Sequence, residues 1–315
     1  MTEPADVEAI VRSRSAPVDL VVEHRFPLGL TPTLPEIWDL YETSKTVSWD
    51  PEDSALLAGR TSDDYPDEVR GAAALLWSRR AWVEFPGMAE SEALLVRFCL
   101  EPAREVDAKY CLSCRAVEKA RATDACRILA DWFSGYVDDS PSADLVEALE
   151  SDRVRWALHA EADIDASVVG LLCVEALIDL RLWEATVDAT TDPTVRRFGD
   201  QMLVDKRRQV SFGWAYLDSR ASSFEDDKRV ALSAAADRTV RDELRGRRVS
   251  ALLPPGPGRD ALTLAQDHVA VVGAGAVATA DEVAVLGLAV EECRRSLHPY
   301  GLSLSTASHP ERGDF

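Results

Sequence analysis

A lysine lies on the apolar side of a helix that the sequence predicts to begin at Asp192-Pro193. That side is set by residues that recur at helical spacing: Met202, Leu203, Lys206, Val210 and Gly213. A buried ammonium group needs a carboxylate partner, because an unpaired buried ion is strongly destabilising. Lys206 is therefore a candidate catalytic acid, base or nucleophile, or one half of a buried ion pair. Asp205 and Gln209 stand beside it as candidate substrate-binding or supporting residues.

Two further predicted helices carry an acid inside an apolar stripe. In the helix that ends near residue 100, Glu92 interrupts such a stripe, and Glu90 is the alternative inward acid. In the helix predicted over 164–187, Glu175 interrupts a stripe formed by Val168, Leu171, Leu172, Ile178 and Leu182. We therefore expect Glu92 and Glu175 to face the core and to be available for catalysis.

The helix predicted over residues 103–133 leaves the identity of its inward ionic residue open. Lys119 is one candidate, and Glu118, which also has apolar neighbours at helical spacing, is the other. Cys126 lies two helical turns after Lys119 and therefore on the same face. We expect a catalytic role for Lys119, with Glu118 and Cys126 in supporting positions.

The residues around Lys206 resemble the last core helix of the ferritin-like di-iron oxygenases. In that family the helix typically carries Asp-Glu-x-x-His, followed shortly by Phe-Gly. The corresponding stretch of this chain is Asp205-Lys206-Arg207-Arg208-Gln209, followed by Phe212-Gly213. The frame matches, but lysine stands at the position of the metal-binding glutamate and glutamine at that of the histidine.

A weaker form of the same resemblance occurs in the helix over 103–133. Lys119 and Ala122 take the positions of the glutamate and the histidine in the family's other Glu-x-x-His motif. The chain is thus similar to a divergent ferritin-like protein in which most metal ligands are replaced.

The resemblance covers about residues 49–220 and implies an all-α fold, namely a ferritin-like antiparallel four-helix bundle with extra N- and C-terminal helices. We expect residues 1–60 to wrap over the bundle, residues 61–220 to form it and residues 221–315 to form a helical cap, all within one compact domain. Pro86-Gly87 should kink or break the first bundle helix.

In this fold the di-metal site takes one glutamate from each of two helices and a Glu-x-x-His motif from each of the other two. By the resemblance, Glu92 and Glu175 would be the retained glutamates, whereas both Glu-x-x-His motifs are lost. The histidines of the chain all lie outside the four ligand positions: His24, His159, His268, His298 and His309. We therefore expect neither a di-iron nor a di-manganese centre, and no other cofactor.

Charge balance predicts what replaces the metal. Two buried glutamates alone would repel each other and raise each other's pKa. Two lysines at facing positions would restore neutrality, so we predict a buried network of Glu92, Lys119, Glu175 and Lys206, with hydrogen bonds from Gln209. Such a network either stabilises an inherited bundle or lines a pocket in which a lysine or glutamate takes part in catalysis.

Sulfur chemistry offers an alternative. Cys99 shares the predicted inward stripe of Glu92, and thiolates at Cys99 and Cys126 would favour copper or zinc. The simpler interpretation is that the cysteines are reduced thiols that fill space in the core.

The formal net charge of −20 argues against nucleic acid and against anionic membrane surfaces as partners. The N-terminus has no apolar signal region, and the sequence contains no run of about 18 apolar residues that would predict a membrane span. We therefore expect a cytoplasmic protein that binds a small molecule, and the sequence leaves a homodimer open.

Three functional hypotheses follow. The first is a metal-independent or unusual enzyme of bacterial specialised metabolism. It would act on a small organic substrate in the pocket that the resemblance to the oxygenases implies. The second is a non-catalytic partner subunit or binding protein. The third is a thiolate protein that binds copper or zinc. A substrate-sized cavity that reaches Lys119 or Lys206 would favour the first hypothesis, and a closed core would favour the second.

Overall fold

The computed structural model describes residues 29–58, 61–101, 104–149, 157–158 and 162–305. Within these ranges the regular structure is helical and no residue lies in a strand, which confirms the predicted all-α fold. None of the described helices combines the length and the apolar character that a membrane span requires. Much of the predicted N-terminal wrap lies outside the described residues.

The α-helices, numbered in chain order, are α1 Pro35–Thr46, α2 Ser54–Leu57, α3 Asp67–Glu84, α4 Pro86–Leu100, α5 Val106–Phe133, α6 Ala143–Leu149, α7 Ile164–Ser167, α8 Ala176–Ala189, α9 Pro193–Arg220, α10 Asp226–Leu244, α11 Pro257–Val271 and α12 Thr279–Leu297. A π-helix, Val168–Glu175, joins α7 to α8. The predicted four-helix bundle consists of four helical runs: α3 with α4, α5, α7 with the π-helix and α8, and α9.

Helix α9 begins where the sequence predicts. The Asp192 side chain accepts hydrogen bonds from the backbone N–H groups of Thr194 and Val195, at 2.8 and 2.9 Å, and Pro193 occupies the first turn. The Tyr65 hydroxyl donates to the same carboxylate at 2.7 Å. This cap fixes the start of α9 and therefore the position, along the bundle axis, of the ionic residues of that helix.

The first bundle helix is interrupted before Pro86-Gly87, as predicted. Helix α3 ends at Glu84 and α4 begins at Pro86, because proline cannot donate a backbone hydrogen bond. Phe85 between them keeps helical backbone angles, with φ −55° and ψ −47°, so α3 and α4 remain one nearly continuous run. Glu84 is thus the last residue before the interruption.

A π-helix interrupts the α-helical spacing of the third run. In a π-helix each backbone N–H donates to the carbonyl oxygen five residues earlier in the chain, instead of four, so the side-chain register shifts. The segment packs closely on α9, since a Cβ added at Gly213 would lie only 2.1 Å from the Leu172 carbonyl oxygen. Regular α-helical spacing therefore does not describe the faces of residues 168–175.

Residues 221–305 pack on the bundle and share its core. Helix α10 lies against the π-helix, α11 against α3, and α12 against α8. The glycine-rich turn between α11 and α12 is a packed loop, in which Gly273 takes a left-handed φ of 65°. Its carbonyl accepts hydrogen bonds from the backbone N–H groups of Thr191 and Asp192, at 2.9 and 3.1 Å, and thereby ties this loop to the start of α9.

Candidate functional site

Four ionic side chains, one from each helical run of the bundle, meet at its centre: Glu84, Lys119, Asp179 and Lys206. We call them the central network. Lys206 donates to Glu84 and to Asp179, each at 2.6 Å, and Lys119 donates to the other oxygen of Glu84 at 2.8 Å. Lys119 also lies 3.6 Å from Asp179. All four side chains are buried, so two cations neutralise two anions inside the core.

The network holds Glu84, Asp179 and Lys206 in their charged forms. Burial raises the pKa of the Glu84 carboxyl, but Lys119 and Lys206 more than offset this and keep that pKa well below its usual range. Burial acts in the same direction on Asp179, and Lys206 and Arg248 likewise keep its pKa low. Burial lowers the pKa of Lys206, whereas the two carboxylates raise it above its ordinary value. Lys206 is therefore an ammonium group at neutral pH and does not supply a neutral amine for nucleophilic attack.

Neighbouring residues fix the positions of the two ammonium groups. The Nζ atom of Lys206 lies 5.0 Å from the centroid of the Trp183 ring, over its face. The stem of Lys119 crosses Gly87 of α4, where an added Cβ would lie 2.9 Å from Lys119 Cδ. The absence of a side chain at Gly87 thus allows the lysine to reach the centre.

An arginine that follows α10 extends the network, and the sequence analysis missed it. Arg248 donates to Asp179 at 3.2 Å and to Glu175 at 2.6 Å, and it also bonds Glu243. Burial lowers the pKa of Arg248, but these carboxylates raise it well above its usual value. The run Arg245-Gly246-Arg247-Arg248 has the composition of a solvated surface turn, so the sequence contains no signal for this role.

The predicted acids of the network are wrong at two positions. Glu92 is exposed, and Glu90, the alternative, is the buried acid of α4. Helix α4 carries apolar residues on both sides, so spacing alone does not identify its buried face; the acid that joins the lysines from this run is Glu84. Glu175 is buried but pairs with Arg248, which lies outside the bundle. Asp179 lies one helical turn further along the same face, and it is this acid that meets Lys206.

A second ionic cluster lies between α5 and α9. Arg208 donates to Glu118 at 2.6 Å, and Gln209 donates to the other oxygen of Glu118 at 3.0 Å. Arg208 also bonds Asp205, whose second oxygen accepts a hydrogen bond from the Trp49 indole at 2.9 Å. Burial raises the pKa of Glu118, against the opposing effect of Arg208.

These contacts show which of Glu118 and Lys119 is the inward ionic residue of α5. Glu118 and Lys119 both face the core, but they join different clusters. The predicted hydrogen bonds of Gln209 to the central network are wrong, because Gln209 bonds Glu118 instead. Asp205 lies beside Gln209 in the second cluster, where it anchors Trp49 of the segment after α1.

The two cysteines considered above as a thiolate pair differ in their exposure to solvent. Cys99 is exposed together with Glu92 on α4, so its predicted inward position is wrong. Cys126 is fully buried near the central network, and burial raises the pKa of its thiol far above the usual value. Cys126 therefore fills space in the core.

The residues at the bundle centre do not fit the metal pair that a ferritin-like fold implies. The ammonium groups of Lys119 and Lys206 already lie against both carboxylates, and a metal cation there would be repelled by two like charges. Within the part of the chain that the structure describes, no group of three or more His, Cys, Asp or Glu is arranged to hold a metal ion.

Alanine and glutamine occupy the positions at which the family pattern has histidines. Ala122 is buried on α5, and Gln209 donates to Glu118. His268 lies on α11 at the surface. The predictions for His24, His159 and His309 lie outside the described residues.

A cavity of about 40 Å³ lies against one side of the central network. Its wall contains Glu84 and Asp179 of the network and also Arg79, Arg80, Val83, Leu182, Trp183, Thr186, Arg248 and Glu282. Pockets for metabolites usually measure about 300–1,000 Å³. This cavity therefore has room only for a few water-sized atoms.

Comparisons with known proteins identify the fold by structure and not by sequence. No protein-family model matches the chain, and a search of curated proteins finds no match. Among solved structures, the ribonucleotide reductase R2 subunit from Clostridium botulinum superposes with a TM-score of 0.50 at 10% identity, over 88% of this chain and 86% of that chain. This similarity supports a ferritin-like fold.

Two variants of an R2-like ligand-binding oxidase with an aerobically reconstituted Mn/Fe cofactor also match. The first has a TM-score of 0.42 at 12% identity and covers 85% of this chain and 87% of that chain. The second has a TM-score of 0.39 at 14% identity and covers 84% of this chain and 85% of that chain.

Proposed function

The chain has a ferritin-like fold, and on that premise we propose that it is a metal-independent, non-catalytic protein that works as a binding protein or a partner subunit. The observation that carries this proposal is the central network. Lys119 and Lys206 stand at positions where the family pattern has metal-binding glutamates, and each is paired with a buried carboxylate. Their ammonium groups supply the positive charge that a metal pair would supply in a ferritin-like enzyme.

The chemistry of the network suits a structural role. The pKa values of Glu84 and Asp179 are held low and that of Lys206 is raised, so none of the three is poised to exchange a proton near neutral pH. The adjoining cavity of about 40 Å³ is far smaller than a metabolite pocket. We place the protein in the cytoplasm, because all of its cysteines are free thiols, as a reducing compartment maintains them.

A second candidate function is the metal-independent enzyme of bacterial specialised metabolism. The observation that favours it is the π-helix that leads directly into α8, a helix that lines the cavity, because such segments occur often at functional sites. In that case Glu84 and Asp179, which line the cavity, would contact a small substrate, and closure around a larger substrate would require movement of α8 or α12.

Metal analysis tests the first part of the proposal. Protein purified from cells supplemented with iron and manganese should contain far less than one equivalent of either metal. Stoichiometric iron that is lost in Glu84→Gln but retained in the exposed control Glu92→Gln would show that the bundle centre binds metal, and it would overturn the proposal.

A triple variant separates the structural role from catalysis. Glu84→Leu, Lys119→Met and Lys206→Met together remove a buried anion and two cations, while Asp179 keeps Arg248 as its partner. A buried ionic network can often be replaced by apolar residues of similar volume without loss of the fold. We expect the folded triple variant to restore the metabolite profile of a deletion strain as well as the wild type does. If the strain that carries the triple variant keeps the metabolite profile of the deletion strain, the enzyme hypothesis is favoured instead.

A further inference from the structure

The cavity beside the central network is bordered by two arginines that have no salt-bridge partner among the residues that the structure describes. Arg79 is 3% exposed, and its hydrogen bonds go to the carbonyl oxygens of Gly246 and Arg247, at 3.5 and 3.4 Å. Its Nε atom is buried and has no hydrogen-bond acceptor. Arg80 stacks on Trp77, with its guanidinium carbon 4.4 Å from the ring centroid, and its buried Nη1 atom also lacks an acceptor.

The other charged groups of the cavity wall are already compensated or lie further away. Glu84 and Asp179 are bound by the lysines of the central network, and Arg248 is bound by three carboxylates. Glu282 also lines the cavity, beyond salt-bridge distance of both arginines; burial raises the pKa of its carboxyl, although Arg79 and Arg80 act in the opposite direction. Arg79 is therefore a buried cation, and Arg80 a half-buried one, whose charge is incompletely balanced.

The pKa shifts of the arginines agree with this geometry. Burial lowers the pKa of Arg79 to about 10, and it lowers the pKa of Arg80 as well. Arg248, which has carboxylate partners, shows the opposite shift. A buried guanidinium without an anion is costly, and its fork of N–H donors matches the two oxygens of a planar oxyanion.

We propose that this cavity binds a small planar oxyanion, of the carboxylate or bicarbonate class, which accepts hydrogen bonds from Arg79 and Arg80. The volume sets the size of the ligand. Each water-sized atom needs roughly 10–15 Å³ of such space, so a cavity of about 40 Å³ accommodates about three non-hydrogen atoms, as in formate, and at most a group such as acetate or bicarbonate. A larger acid would have to displace Val83 or Thr186.

Binding is measured by calorimetric titration of the wild-type protein with sodium formate and sodium acetate in a chloride-free buffer. We expect saturable binding of one anion per chain, and at least about tenfold weaker binding in Arg79→Gln and Arg80→Gln, since each removes a charge-assisted hydrogen bond. Arg207→Gln is the matched control, because Arg207 is an exposed arginine of α9 and its substitution should leave the affinity unchanged.

A cavity-filling variant keeps the test decisive if an arginine variant fails to fold. Val83→Met retains both arginines but places a longer side chain in the wall of the small cavity, so it should abolish anion binding while the far-UV circular dichroism spectrum stays that of the wild type. The proposal is overturned if the wild type shows no saturable binding, or if Val83→Met binds the anions as tightly as the wild type.

Discussion

Substitution of Lys206 by methionine is the most direct test of the central network. The change keeps an unbranched side chain of similar length but removes a cation that lies 2.6 Å from each of two buried carboxylates. Glu84 would retain Lys119 at 2.8 Å, and Asp179 would retain Arg248 at 3.2 Å. The variant therefore leaves one excess negative charge in the core but no carboxylate entirely without a partner.

The magnitude follows from this geometry. Removal of one partner from a buried ion pair typically costs about 3–5 kcal/mol. Because each carboxylate keeps one other cation, we expect the lower end, about 3 kcal/mol, which lowers the melting temperature by roughly 5–10 °C in a chain of this size. Lys45→Met serves as a control, since Lys45 pairs with Glu42 at the surface, and it should produce no measurable change.

The pH dependence has a defined sign. Folding depresses the pKa of Glu84 and of Asp179, so their contribution to stability is present above the unfolded carboxyl pKa of about 4 and is lost as the pH falls through the folded pKa. Folding raises the pKa of Lys206, so its contribution is present below about pH 10.4 and is lost as the pH rises through the folded pKa.

In Lys206→Met the remaining cation no longer offsets burial fully, so the pKa of one carboxyl rises and that group takes up a proton on folding. The stability difference between wild type and variant should therefore narrow as the pH falls from about 7 to about 5. The assay is urea unfolding of the wild type, Lys206→Met, Asp179→Asn and the double variant at both pH values. If the residues interact, the double variant recovers part of the loss. Additive effects of the two single substitutions, or a difference that widens at low pH, would refute the network.

Two further predictions concern packing and reactivity. Gly213→Ala should destabilise the protein by about 1–3 kcal/mol or more in thermal unfolding, because its Cβ would lie 2.1 Å from the Leu172 carbonyl oxygen, whereas Gly71→Ala, with open space around it in α3, should be neutral or stabilising. In the native protein Cys99 should react with iodoacetamide and Cys126 should not, as peptide mass spectrometry would show, because only Cys99 is exposed; labelling of Cys126 at the rate of Cys99 would contradict the buried position.

The sequence determined the parts of the fold that depend on local chemistry. Asp192-Pro193 fixes the start of α9, because a capping carboxylate and a proline act on the residues next to them. Pro86 likewise fixes the interruption between α3 and α4. The position of Lys206 could be predicted as well, since α9 is regular over its whole length and its buried face follows from spacing.

Only the tertiary structure decided which acids meet the lysines. Glu84 was missed and Glu92 was wrongly chosen because the α3–α4 run has apolar residues on several sides, so neighbouring helices determine its inward face. Asp179 replaces Glu175 because it lies one turn further along the same face, where it meets Lys206, and the spacing of residues within one helix does not determine which turn lies beside the lysines of other helices.

Arg248 shows the same limit over a longer distance. It reaches Asp179 from a turn 69 residues further along the chain, and its sequence neighbourhood is that of an exposed basic loop. Helix starts and the faces of regular helices are set by residues within about one or two turns, and the sequence contains that information directly. The partners of a buried charge are set by how separate helices pack, and this chain satisfies its lysines with acids that spacing alone does not place beside them.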